Sequence, residues 1–231
     1  GGNFGVVTSF EYRLHPLGPQ VLAGLIVYPF AQARQVFDGY RKFTAAASDD
    51  MTAWMVMRKA PPLPFLPAEV HGKEVIVVAF CWIGEPAQGE AMAQTLRSFG
   101  TPAGEHVGPM PFAGWQTAFD PLLQPGARNY WKSHDFKMLN ADVERILCDA
   151  IVKLPTEECE AFIGHLGGQV NRTAVADTAY PHRDAEFVLN VHTRWRDAGD
   201  DRRCIDWARG LFDALTPHVR EMDESGVFRK D

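Results

Sequence analysis

Along this chain, stretches of two-residue alternation or unbroken apolar character are separated by stretches in which apolar residues recur every three or four positions. The first kind covers residues 21–28, 51–58, 73–82, 130–139, 159–165 and 185–195 and predicts strands. The 73–82 run is apolar on both faces, which predicts a central strand covered on both sides. In 185–195 the alternation is clean: Phe187, Leu189, Val191 and Trp195 share one face, and Asn190, His192 and Arg194 the other. Residues 6–12, β-branched and aromatic directly after a glycine-rich turn, predict one further strand.

The second kind predicts amphipathic helices with four apolar stripes. They run through Ala33, Val36, Phe37 and Tyr40; through Met92, Leu96 and Phe99; through Val143, Leu147, Ile151 and Leu154; and through Cys204, Ala208, Leu211 and Leu215. Asn140 and Asp200 stand where N-caps belong, and Gly100 and Pro217 where helices stop. Residues 101–129, rich in Pro and Gly, carry neither period and predict a long irregular loop. No internal repeat is visible. Six or seven strands and four helices, interleaved, give an α+β class: an antiparallel sheet with helices packed on one face. The other face is then free to meet a ligand or a partner.

Composition narrows the function classes. With 231 residues, 46% of them hydrophobic and 23% charged, the chain can bury a full core. A formal charge of −6 without a run of Lys or Arg argues against a nucleic-acid surface. No apolar run approaches the ~18–20 residues of a membrane span. Cys81, Cys148, Cys159 and Cys204 are scattered singly and read as small core residues of a reducing compartment, which points to the cytoplasm. The histidines show no HExxH and no zinc spacing, so no metal site is expected, and hydrolase or phosphate-loop motifs are missing.

Three groups of residues can carry chemistry. Gly1, Gly2, Asn3, Phe4 and Gly5, followed by Val6 and Val7, allow a backbone to come close to a ligand such as a flavin; a tight turn before a strand is the plain alternative. Tyr130 and Lys132 share one strand face and Trp131 takes the other. On an open sheet face, Tyr130 or Lys132 can orient a substrate hydroxyl or take its proton; alternatively Lys132 pairs with a carboxylate and Trp131 is core. Asn190, His192 and Arg194 line either a pocket or a solvated sheet face.

Ordered motifs add a resemblance. Gly2-Asn3-Phe4-Gly5-Val6-Val7-Thr8 with Leu14-His15-Pro16 is followed by Trp115-Gln116, Phe119-Asp120 and Arg128-Asn129-Tyr130-Trp131-Lys132-Ser133. Gly164-His165-Leu166-Gly167-Gly168, Thr178-Ala179-Tyr180-Pro181-His182-Arg183, Trp195-Arg196-Asp197 and Trp207-Ala208-Arg209 come after them. The succession resembles the C-terminal part of the berberine bridge enzyme-like flavin oxidoreductases of the vanillyl-alcohol oxidase superfamily.

The resemblance implies that residues 1–18 end an FAD-binding domain, 19–220 form a substrate-binding domain and 221–231 are a tail. It implies FAD as cofactor, held in part by Gly1 to Val7, with a small-molecule substrate and a missing FAD-binding half as partners. It further implies hydride transfer to flavin from a C–H beside an alcohol or amine, with O₂ as acceptor. Tyr130, Lys132 and His192 are then the catalytic candidates, and Trp131, Asn190 and Arg194 the substrate-binding ones. The chain lacks the family's pyrophosphate loop and shows no support for covalent flavin attachment. A Tyr-Val-Asn-like segment near the end is also absent, residues 221–231 standing there instead. The alternative is a non-catalytic module that packs its open sheet face against a partner chain.

Overall fold

A computed structural model describes residues 5–219. Its strands are β1 (Gln20–Pro29), β2 (Met51–Lys59), β3 (Glu74–Trp82), β4 (Gly104–Pro111), β5 (Arg128–Phe136), β6 (Glu160–His165) and β7 (Phe187–Trp195). The helices are α1 (Ala33–Thr44), α2 (Pro86–Arg97), α3 (Phe112–Thr117), α4 (Ala141–Ile151), α5 (Gln169–Arg172) and α6 (Asp201–Leu215). All seven strands join one sheet in the order β4-β1-β3-β2-β6-β7-β5, and every neighbouring pair is antiparallel. The class is α+β. No helix among the described residues is long and apolar enough to cross a membrane.

The topology repeats although the sequence does not. Strands β1 to β4 with α1 and α2 form a β-α-β-β-α-β unit with strand order 4-1-3-2. From β5 onward the chain runs β-α-β-β-α, with β7 between β6 and β5, the same winding without a final strand. The units join where β2 pairs with β6. Helical connections are needed because β1 and β2, and likewise β5 and β6, run parallel on either side of a shared neighbour.

Alternation along the strands sorts the side chains into two layers. Ile26, Tyr28, Met55, Met57, Ile76, Val78, Phe80, Ile163, Leu189 and Val191 meet the apolar stripes of the long helices in the main core. Tyr40, fully buried on α1, donates its hydroxyl to the Ala53 carbonyl at 3.1 Å, and burial holds its ionisation far above the ordinary range. Asn140 caps α4 through its side chain, which accepts from the Val143 amide at 2.9 Å.

The opposite face, called the outer face below, is only partly covered. Residues 60–70 close over Val27 and Val75, and α3 with Phe119 covers Ala23, Ala79 and Cys81. Strand β3 is thus covered on both sides, as its doubly apolar pattern predicts. All four cysteines are free thiols.

Four expectations need correction. Residues 6–12 form no strand; the segment 5–18 has no regular pairing and is exposed. A β-prone sequence is one that fits a half-buried pleated surface, and among the described residues no strand pairs with it. The supposed loop 101–129 contains β4 and α3, because Pro and Gly are tolerated on an edge strand. The Asp200 side chain makes no cap bond and instead accepts from Arg203. Trp131 is not core: it is 51% exposed. Gly1, Gly2, Asn3 and Phe4, and the 221–231 tail, lie outside the described residues.

Candidate active site on the outer sheet face

Strand register builds a row of side chains across the uncovered half of the outer face. Arg58 of β2 lies opposite Glu160 of β6, Glu160 opposite His192 of β7, and His192 opposite Trp131 of β5. Directly opposed residues have side chains close enough to interact, and here each pair does. Arg58 Nη1 donates to Glu160 Oε2 at 2.8 Å, and His192 Nδ1 lies 3.1 Å from Glu160 Oε1. The Trp131 indole meets the imidazole edge to face, with ring centroids 4.0 Å apart.

Three members of this row are withdrawn from solvent, with side-chain exposures of 13% for Arg58, 15% for Glu160 and 7% for His192, while Trp131 closes it on the exposed side. A carboxylate only accepts hydrogen bonds, and one oxygen of Glu160 already accepts from Arg58. The bond to Glu160 therefore requires the proton of a neutral His192 ring to sit on Nδ1. The other nitrogen, Nε2, is buried and has no hydrogen-bond partner. Leaving such a group unpaired costs about 1–3 kcal/mol, so Nε2 calls for a partner, a water or a ligand.

Around the row stand an aromatic bank and an ionic clamp. Trp54 packs against Trp115, Phe119 and Phe162 with centroid distances of 5.6, 5.7 and 6.4 Å. Phe162 follows Glu160 by two residues and so shares its face. On the far side, buried Arg194 donates from Nε to Glu158 at 2.7 Å and also to the Gln124 carbonyl. Arg196 donates to the same carboxylate at 2.9 Å. Arg196, with Arg194, holds the Glu158 carboxyl below its ordinary range. Arg194 thus ties the segment after α3 to the sheet. Asn190 lies on the same face as His192, two residues along β7.

Tyr130 and Lys132 fall elsewhere. They pair with Thr193 and Val191, whose parity points to the helices, so they lie on the opposite side of the sheet from His192. Tyr130 OH accepts from Arg209 Nε at 3.1 Å, and Lys132 Nζ sits 4.5 Å above the Phe212 ring. Both are spent on anchoring α6. Gly5, Val6 and Val7 are exposed in the unpaired segment. Arg58 and Glu160 were not singled out from the sequence; Glu160 and Phe162 alternating at the head of a short strand was the available signal. Grooves of about 840 Å³ between α1 and α2 and about 290 Å³ by the β1–β4 edge include none of these residues. No three His, Cys, Asp or Glu side chains among the described residues are placed to hold a metal.

Known proteins resemble this chain in sequence and in fold. No family model matches the chain. An FAD-linked oxidoreductase of Dictyostelium discoideum is 30% identical over 220 residues, covering 94% of this chain and 46% of that protein. The uncharacterized FAD-linked oxidoreductase YgaK of Bacillus subtilis is 24% identical over 224 residues, with the same coverage of 94% and 46%. The solved structure of the berberine bridge enzyme-like protein 28 of Arabidopsis thaliana shares the fold with a TM-score of 0.72 at 11% identity, over 89% of this chain and 44% of that one. The chain spans slightly less than half the length of the curated relatives it matches. Along nearly its whole length the chain is similar in sequence to FAD-linked oxidoreductases, and it shares its fold with a berberine bridge enzyme-like protein.

Proposed function

We propose that this chain is the substrate-binding part of an FAD-dependent oxidoreductase, with residues 19–220 forming that part, 1–18 ending the FAD-binding domain and 221–231 a tail. The observation that carries the reading is the buried, partnerless Nε2 of His192 at the centre of the outer sheet face. A flavin ring needs a flat, largely aromatic wall, and its pyrophosphate a cradle of backbone N–H groups. Trp54, Phe162 and Trp131 fit the first need. For the second, the described residues offer Gly5, with φ 147° and open space where a Cβ would stand. The fit is that of a ring-side wall, the cradle belonging to the FAD-binding half.

Within that site, His192 Nε2 accepts a hydrogen bond or a proton from the substrate, and Glu160, itself held by Arg58, fixes the ring. Trp131 shields the imidazole, and Asn190 stands beside it to hydrogen-bond the substrate. Bound FAD would supply a two-electron acceptor for hydride from a C–H beside an alcohol or amine, with O₂ as reoxidant.

The test is a visible spectrum of the chain purified together with an FAD-binding half. The expected result is a flavin band that survives desalting and bleaches anaerobically with alcohols or amines. A complex that retains no flavin, or whose flavin none of them bleaches, refutes the reading. One observation favours a second reading, a non-catalytic module docked on a partner: Val6, Val7, Phe10, Tyr12 and Leu14 are all exposed. Such a module forms the complex and leaves it colourless.

A further inference from the structure

Resting on the outer face as the substrate site, we propose that Arg58, Glu160 and His192 form a proton relay that suits the site to alcohols rather than tertiary amines. The distinction is chemical. When an alcohol carbon is oxidised, two bonds break: the C–H bond gives up hydride to the oxidant, a flavin, and the O–H bond gives up a proton. The O–H electron pair becomes the second bond of the carbonyl product. That proton needs an acceptor. When a tertiary amine gives up hydride, the nitrogen lone pair forms the iminium and no proton leaves, so a base has no task.

The geometry supplies such a base. Glu160 requires Nδ1 to carry the proton, so the lone pair of a neutral ring is on Nε2, the one nitrogen without a partner. As Nε2 takes the hydroxyl proton, the ring becomes cationic against the Glu160 carboxylate, 3.1 Å from Nδ1. Arg58, bonded to the other carboxylate oxygen at 2.8 Å, keeps Glu160 from rotating away. Arg58 and Glu160 are positioning residues; His192 is the group that meets substrate. A histidine serving only to fasten β6 to β7 needs the Nδ1 bond and gains nothing from a second nitrogen buried without a partner.

Two readouts test this. Nitrogen-15 spectra of the histidine rings in the 231-residue chain, assigned against His192→Gln, should show His192 protonated on Nδ1 when neutral, and Glu160→Leu should abolish that preference. A neutral ring protonated on Nε2 overturns the relay whatever the enzyme does. In the flavin-loaded complex, benzylic alcohols and the corresponding tertiary benzylamines serve as paired probes. His192→Ala should slow bleaching by the alcohols about 10²- to 10⁴-fold, the range of a general base, and spare any reaction with the amines. Glu160→Gln, which keeps size and shape, should lower kcat for alcohols more than it changes KM. Bleaching by amines alone, or by alcohols equally well without His192, overturns this proposal and leaves the flavoenzyme reading intact. A complex that takes up no flavin overturns both.

Discussion

Gly24 is the residue on which the β1–β4 edge depends. A Cβ built there would fall 2.1 Å from the His106 carbonyl oxygen and 2.6 Å from the Val107 Cα, both backbone atoms that cannot swing aside. Gly24→Ala should therefore cost about 1–3 kcal/mol, the usual penalty for overpacking, as the strands are pushed apart. Gly108 on the facing strand is the control, with nothing within 4 Å of its missing Cβ. Its replacement by Ala should change stability by less than about 0.5 kcal/mol. Denaturant midpoints of the two variants check this, and equal losses would mean that close approach is not what requires Gly24. At this scale the sequence was partly legible: it offered Asn190, His192 and Arg194 as one polar face, and Asn140 as a cap that forms. It did not offer the close approach at Gly24, which exists only when a strand distant in sequence passes beside it.

At the scale of elements, the four long helices are legible because their stripes repeat every three or four residues. The core they make can be probed at Leu147, fully buried on α4. Leu147→Ala should cost about 2–5 kcal/mol, through lost transfer energy and the cavity left behind. A thermal unfolding shift of less than a degree or two would mean that α4 is not part of the cooperative core. Edge strand β4 was missed because Gly104, Gly108, Pro109 and Pro111 look like loop residues; pairing with β1 makes them strand. Residues 6–12 fail in the opposite direction, strand-like in composition and unpaired in structure. In β5 the alternation of Tyr130, Trp131 and Lys132 was readable, but not which side would face α6. That side is fixed by the β5–β7 register, and it removes Tyr130 and Lys132 from the candidate site.

For the whole molecule, two units of like winding meet at the β2–β6 pair, and the Arg58–Glu160 bond crosses that junction. The candidate site therefore exists only when both units are folded and joined. At the chain's start, the exposed apolar side chains of Val6, Val7, Phe10, Tyr12 and Leu14 suit burial against another body. Limited proteolysis should cut within residues 5–18 in the chain alone, and an FAD-binding half should protect that segment. Equal cutting in both states would dissociate the segment from the interface. What the sequence determined by itself is whatever has a short period: helix and strand identity, the α+β class, and the grouping of Asn190, His192 and Arg194 on one face. Ordered motifs added the family resemblance. The tertiary structure alone decided which face stays uncovered, and that Arg58, Glu160, His192 and Trp131 stand in one row. Neighbours across a sheet are set by pairing between strands far apart in the chain, and no local pattern of residues encodes that register.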